Sequence, residues 1–354
     1  MYGARHCASR PMSVLDNLTP FAATCIPSLS RDDRPLTLVI VAGRFVLPPA
    51  GARSDATPAI APDQGEVLLV DRHVGDPASS SLLYEGQSAP TRPCTDLYMH
   101  GHAWAPGGKP SASGVVSLMV GRCHKQAVVF GDRVWTPGIA GASPGRPAPF
   151  RSIALGYERC FGGAPPRPVR STIEAAEHNP VGCGLHGSER DALGQPLPNF
   201  EDPDAPIETL ADRPRPCGFG PVARHWRPRR DLGGTYDQAW IDRRAPLWPA
   251  DLDDRFFAAA APGLQVTPHL EGGEPVQIVG MSPDGAHTFR LPRHHLQVRF
   301  EVGGGSQRRR LILDAVHFEP DAATFTMYWR AHVVADPLTV GVAVVRALAP
   351  WELP

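Results

Sequence analysis

Thr95-Asp-Leu-Tyr-Met-His-Gly-His-Ala-Trp104, Gly114-Val-Val-Ser-Leu-Met-Val-Gly121 and Lys125-Gln-Ala-Val-Val-Phe130 decide the fold class. Each run is short and rich in β-branched and aromatic residues. Pro106-Gly-Gly-Lys-Pro110 breaks the series after the first, and Gly131-Asp-Arg-Val-Trp135 follows the last. Strands this short, separated by turn residues, imply antiparallel pairing into a sandwich or barrel.

Moving outward, Leu36-Thr-Leu-Val-Ile-Val-Ala-Gly-Arg-Phe-Val-Leu47 is an apolar, β-branched run that ends at Pro48-Pro49 and reads as a buried strand. Pro48 to Pro62 reads as a loop, and Glu66-Val-Leu-Leu-Val-Asp71 as a further short strand. Towards the C-terminus, Leu296–Val302 and Arg309–Asp314 flank Gly303-Gly-Gly-Ser306, a hairpin signature. Ala323-Thr-Phe-Thr-Met-Tyr-Trp-Arg330 alternates with period two, as a half-buried strand does. Only two places read as helical. Ser171–Glu177 has a capping-box pattern. Asp251–Ala261 has early acids, then alanines, then Pro262 as a stop.

The 40 prolines and 35 glycines make about a fifth of the 354 residues, above average usage yet below the level of low-complexity chains. They concentrate between Gly156 and Asp251, in Gly156-Tyr-Glu-Arg-Cys-Phe-Gly-Gly163, Asn179-Pro-Val-Gly-Cys-Gly184, Leu197-Pro-Asn-Phe-Glu201, Cys217-Gly-Phe-Gly-Pro221 and Gly233-Gly-Thr-Tyr-Asp-Gln-Ala-Trp240. The expected fold is therefore mostly β: antiparallel sheets in a sandwich- or barrel-like arrangement, with a long Gly/Pro-rich central turn segment and one or two short helices. Residues 1–35 are polar and turn-rich, with roughly the first fifteen loosely held. Two β subdomains, 36–150 and 262–345, can be joined by the turn-rich segment 151–261, with 332–354 as a C-terminal strand and tail.

Net charge is −1, so the overall field steers neither nucleic acid nor an anionic membrane. The N-terminus lacks an apolar h-region and no run approaches eighteen apolar residues, so no membrane insertion and a cytoplasmic location are expected. Seven scattered cysteines without a short paired spacing fit reduced thiols.

A search for chemistry finds no active site. Gly141-Ala-Ser-Pro-Gly145 matches the nucleophile-elbow string, but Pro144 has no N–H to serve as the oxyanion donor. His100 and His102, two apart on a strand, would face one side, yet no third ligand follows at a metal-site spacing, and neither metal nor cofactor is expected. Asp251, Asp253 and Asp254 sit where capping and helix-dipole charges belong. Glu158 and Glu201 invite a glycosidase reading, which requires the two carboxyl groups to flank one groove. Arg308-Arg-Arg310, running from the hairpin tip into a strand, reads as a solvated edge.

Several motifs occur in an order that resembles one bacterial β-rich family, the adaptors or effector-loading chaperones of the type VI secretion system. They are Thr95-Asp96-Leu97 with Gly101-His102-Ala103, Gly131-Asp132-Arg133 with Trp135, and Tyr157-Glu158-Arg159 with Phe161-Gly162-Gly163. Next come Asn179-Pro180-Val181-Gly182, Leu197-Pro198-Asn199 with Glu201, Gly218–Pro221 and Gly234-Thr235-Tyr236-Asp237 with Trp240. Pro249-Ala250-Asp251 with Phe256-Phe257, and Leu313-Asp314 with Tyr328-Trp329-Arg330, complete the series. The resemblance spans about residues 36 to 331. One departure is Arg92, where such sequences carry lysine; the two cations are not equivalent donors.

The resemblance implies a cytoplasmic, non-catalytic protein whose partners are a toxin effector and a spike-trimer or cone-like tip protein. Residues expected to touch a partner are Tyr157, Glu158, Phe161, Gly162, Gly163, Asn179, Pro180, Gly182, Asn199, Glu201, Thr235, Tyr236, Trp240 and Asp251. Recognition would use at least about 1,000 Å² of surface, through these turns or through strand addition at the Gly303–Ser306 hairpin. The rival expectations are a β-rich hydrolase acting on carbohydrate or cell wall, and a structural component of the secreted spike.

Overall fold

The long strand Pro35–Val46 is apolar through its middle because neighbours cover both faces: Leu38 to Val41 have no measurable exposure. In the computed structural model, which describes residues 14–51, 57–139, 141–164 and 174–353, it lies in a six-stranded sheet. The order across that sheet is Gln265–Val266, Thr95–Met99, Ile312–Glu319, Thr324–Val334, Pro35–Val46 and Ala22–Leu29. A five-stranded sheet contains Phe200–Glu201, Cys123–Phe130, Ser113–Val120, Pro275–Val279 and His287–Arg290 in that order. A four-stranded sheet runs Val14–Asn17, Val340–Ala347, Leu296–Val302 and Gly305–Arg310. One hydrophobic core joins the sheets, from Phe21 through Leu118 and Phe289 to Val345.

The mostly β expectation holds, with several differences. No barrel closes among the described residues; the sheets are open, with edge strands. Pairing is mixed: Thr95–Met99 runs parallel to Ile312–Glu319, and Val14–Asn17 parallel to Val340–Ala347. Parallel neighbours need a long crossover, and here the connection is most of the chain. All three large sheets take strands from both sides of the central segment or from both ends of the chain, so residues 36–150 and 262–345 share sheets. Within residues 1–35, Val14–Asn17 and Ala22–Leu29 are strands, more regular than a polar, turn-rich reading suggests.

The helices lie elsewhere than expected. Residues 171–173 of the Ser171–Glu177 segment lie outside the described residues, and 174–177 are not helical. Of Asp251–Ala261, only Asp254–Phe257 turns, as a 3-10 helix whose N-cap Asp253 accepts from the Arg255 N–H at 2.9 Å. Ala258–Ala261 are almost fully buried and pass through the core, where small side chains let the backbone approach the Thr95–Met99 strand; the Ala259 N–H reaches Asp96 at 2.8 Å. Tertiary contact there overrides helix propensity. Among the described residues the α-helices are Glu189–Ala192, Arg229–Leu232 and Gln238–Arg243, one more than the sequence suggested. Glu66–Asp71 forms no strand; the short ladder beside it pairs Arg72–His73 with Leu82–Tyr84.

Polar contacts tie this frame together from inside. Arg92, wholly buried, donates through Nη1 to Asp96 (2.5 Å) and the Tyr98 hydroxyl (3.0 Å), and through Nη2 to Glu85 (3.2 Å). Glu85 also accepts from Arg229 at 2.7 Å, and Arg229 donates on to the carbonyls of Val222 and Phe256. Beside them Arg330 donates to Asp314 at 2.5 Å and to the carbonyls of Gln87 and Ala89. Burial raises the Glu85 carboxyl, but Arg92, Arg229 and Arg224 outweigh it and leave its pKa below the ordinary value. At Asp96 burial wins over Arg92, and the pKa lies above the ordinary value. A lysine at position 92 is a single point donor and could not span both acids with the same fork.

Arg92→Ala would leave two buried carboxyl groups short of a partner. It should cost about 3–5 kcal/mol in chemical denaturation; a loss under about 1 kcal/mol would contradict the role assigned to this side chain.

Candidate functional site

The motif stretch from Tyr157 to Gly184 forms a backbone crossing. Tyr157–Arg159 make one 3-10 turn, and Phe161–Gly162 then pair in parallel with Cys183–Gly184. Asn179, fully buried, holds the crossing: its Nδ2 donates to the carbonyls of Tyr157 (2.8 Å) and Phe161 (3.1 Å), and its own carbonyl accepts from the Gly163 N–H (2.8 Å). A Cβ on Gly162 would sit 2.1 Å from the Asn179 carbonyl, and one on Gly182 2.3 Å from its Nδ2. Gly163 adds a φ of +94°, which side chains rarely adopt. Tyr157 packs edge-on against Trp226, and Phe161 lies in a separate cluster with Trp135 and Leu197. The glycines here answer to close packing, and the side chains of Tyr157, Phe161 and Asn179 turn inward.

Beside the crossing lies a cleft of about 620 Å³ whose lining includes Asp132, Arg133, Arg146, Glu158, Arg159 and Asn199. Asn199 donates to the Phe130 carbonyl and to Asp132, both at 3.0 Å, and accepts from Arg159 at 2.9 Å. Glu158 is occupied by the Ser81 N–H (2.7 Å) and hydroxyl (2.9 Å). Glu201 is buried and ion-paired with Arg133, and accepts from the Ile207 N–H at 3.0 Å. Burial raises its pKa and outweighs that N–H and Arg133. The two acids are thus held by different donors, and only Glu158 lines the cleft. Cys183 also lines it, but burial pushes its thiol up to about 11, far from the thiolate that a nucleophile needs.

The remaining expected residues gather on a different part of the surface. Asp251 accepts from Thr235 through both its N–H (2.9 Å) and hydroxyl (2.7 Å), which lowers the Asp251 pKa. Asp237 caps the helix Gln238–Arg243, accepting from the Trp240 N–H at 2.8 Å. Trp240 donates its indole N–H to the Leu247 carbonyl (2.9 Å) and stands edge-on to Tyr236, with ring centroids 4.7 Å apart. Arg244 pins the excursion to Asp33 with two 3.0 Å contacts. The helix buries no residue; Tyr236 is 53% and Ile241 55% exposed. Nothing from 233–251 lines the cleft.

Residues 32–330 match the family described as "Uncharacterized protein conserved in bacteria (DUF2169)". The chain belongs to the DUF2169 family. No curated protein matches it, and no solved structure does. The match covers the crossing, the cleft and the 233–251 excursion of the DUF2169 chain, together with the buried arginines. Among the described residues no group of three or more His, Cys, Asp and Glu could hold a metal ion, and no helix is long and apolar enough to cross a membrane.

His100 and His102 do not share a face. Gly101, at φ +127°, turns the chain between them, and a Cβ there would meet the Asp321 carboxylate at 3.0 Å. His102 stays exposed with its Nδ1 2.6 Å from Asp321, whereas His100 is buried against Tyr84 and His317. Sequence reading singled out Arg92 and Arg330 but missed Glu85, the buried partner of Arg92; its position before Gly86-Gln87 carries no periodic signal. His317, also missed, is fully enclosed by Tyr84, Tyr98, His100 and Tyr328.

Two predictions follow from these contacts. Gly182→Ala should cost about 2–3 kcal/mol by forcing the Asn179 crossing apart, read from the shift of a urea denaturation midpoint; an unchanged midpoint would refute the packing argument. Burial pushes His100 down to about 4 and His317 well below its ordinary value, with His100 and Arg92 lowering His317 further. The unfolded chain binds these protons near pH 6.5, so stability is lost as pH falls from about 6.5 towards 4. The loss reaches about 2 kcal/mol for His100 alone at pH 5. The double variant His100→Phe, His317→Phe should flatten the difference between denaturation curves at pH 7 and pH 5.

Proposed function

We propose that this protein is an adaptor, an effector-loading chaperone of the type VI secretion system. It binds a toxin effector in the bacterial cytoplasm and helps mount it on a spike-trimer or cone-like tip protein. The order of motifs that resembles such adaptors supports this reading, and the observation that carries it is the 233–251 excursion. A helix with no buried residue contributes little to the core, yet this one is capped by Asp237 and tied down through Thr235–Asp251, Trp240–Leu247 and Arg244–Asp33. Fixing an exposed element in this way lowers the ordering cost of binding. Tyr236 and Ile241 on its surface are suited to anchor a partner, and aromatic anchors dominate many interfaces.

Of the residues expected to touch a partner, the exposed Thr235, Tyr236 and Asp251, with the half-buried Trp240, make up this surface. Glu158 and Asn199 belong to the cleft, and Tyr157, Gly162, Gly163, Asn179, Pro180 and Gly182 to the crossing beside that cleft.

Affinity capture from bacteria with an active secretion system tests the proposal. A toxin effector or a spike protein should be enriched, with the protein retained in the cells; recovery of the protein in the culture supernatant would favour a spike component instead. Tyr236→Ala combined with Ile241→Asp should reduce captured effector by roughly tenfold or more while leaving the melting temperature almost unchanged. Full capture by that variant, or enrichment of neither partner from the wild type, would sink it.

A further inference from the structure

The strand Gly305–Arg310 ends the four-stranded sheet, paired to Leu296–Val302 on one side only. Five of its six residues are exposed. No backbone hydrogen bond beyond that ladder engages it among the described residues; the Arg309 side chain donates to the Arg308 carbonyl at 3.0 Å, and the remaining outward N–H and C=O groups can pair with another chain. The strand carries Arg308, Arg309 and Arg310 in succession, and none of them forms an ion pair among the described residues. Arg308 lies directly opposite Arg299 in the register. Like charges placed across a ladder repel, and Arg299 is offset only by Glu301 at 3.0 Å. The whole chain is almost neutral, at −1, so this basic edge is a local concentration.

At the end of the same strand is a cavity of about 180 Å³, much larger than the roughly 30 Å³ of one water. Arg92, His269, Arg309, Arg310, Arg330 and His332 contribute to its lining. Asp314 is the acid of this lining, and it is held by Arg330. Arg92 is committed to Glu85 and Asp96. The uncompensated charge is therefore that of Arg309 and Arg310.

We propose that this edge takes an acidic, extended segment of a second protein, which adds a strand beside Gly305–Arg310 and seats one carboxylate in the cavity. Arg308 and Arg310 point to one face of the strand and Arg309 to the other, so an added strand with an acid at every second position can oppose Arg308 and Arg310 together on one face. A second copy of this chain does not fit, because its own edge strand Gly305–Arg310 carries no carboxylate to offset these arginines. Neutral strands lack the charge to offset the Arg299–Arg308 repulsion. This contact is separate from the 233–251 excursion, and its test uses no secretion protein, so either proposal can fail alone.

The test is fluorescence anisotropy of the full chain with a dye-labelled peptide alternating Glu and Thr. That peptide should bind at least about tenfold more tightly than one alternating Gln and Thr. Binding should also fall as salt rises from about 0.1 M to about 1 M, where the screening length drops from about 10 Å to about 3 Å. The variant Arg308→Gln, Arg309→Gln, Arg310→Gln should lose the preference for Glu over Gln; because these side chains are exposed, its melting temperature should match the wild type. Amide exchange within Gly305–Arg310 should slow when the Glu-Thr peptide is added. Replacing the Thr residues of that peptide by Pro, which cannot donate to a ladder, should abolish binding. Equal binding of the Pro peptide, or unchanged exchange in the strand, overturns strand addition. Equal binding of the Gln-Thr peptide overturns the acidic requirement. Tighter binding of single-stranded oligothymidine, displacing the peptide, overturns the assignment in favour of nucleic acid.

Discussion

The buried guanidinium of Arg92 is the contact on which the arrangement of sheets depends. It spans Glu85, Asp96 and Tyr98, and through Glu85 it reaches Arg229. Those side chains come from the loop after Leu82–Tyr84, the Thr95–Met99 strand and the helix Arg229–Leu232. Charges with almost no exposure are costly to bury singly and are retained only when each finds a partner. Here satisfaction requires the three segments to meet in one geometry, so the cluster specifies register as well as contact. Arg330 and Asp314 extend the same logic to the two strands that pair beside it.

A second constraint shapes the surface. Asn179 feeds two carbonyls and receives the Gly163 N–H, and the glycines around it leave no space for side chains. The crossing brings the 157–163 and 179–184 segments into one rigid turn structure without regular helix. The Asp132–Arg159–Asn199 cleft lies beside that crossing, while the 233–251 excursion is tied down separately, through Arg244 to Asp33. A rigid, turn-built surface with exposed aromatic and aliphatic side chains is consistent with a binding role. The same packing explains why motif density by itself did not separate contact residues from structural ones.

Legibility in the sequence varied with how local the cause was. The Gly303–Ser306 hairpin and the Pro35–Val46 strand could be read because turn residues and apolar periodicity act over a few positions. The alanine run 258–261 misled, since its burial against Asp96 depends on a segment more than 160 residues away. His100 and His102 misled for a smaller reason: one glycine at positive φ reverses the face that strand alternation assigns. Among the candidate contacts, Tyr157 and Tyr236 look alike as aromatic residues beside glycine, yet one is enclosed by Trp226 and the other stands in solvent.

By itself the amino-acid sequence determined that the chain is mostly β, where its turns fall, and the order of motifs by which it resembles a bacterial family. These follow from local backbone preference and side-chain alternation. Only the tertiary structure decided that strands from both ends of the chain share sheets, that Glu158 and Glu201 serve different donors, and that the expected contact residues divide among an inward-packed crossing, a cleft and an exposed excursion. Burial and pairing are set by contacts between segments far apart in sequence, and neither composition nor periodicity carries that distance.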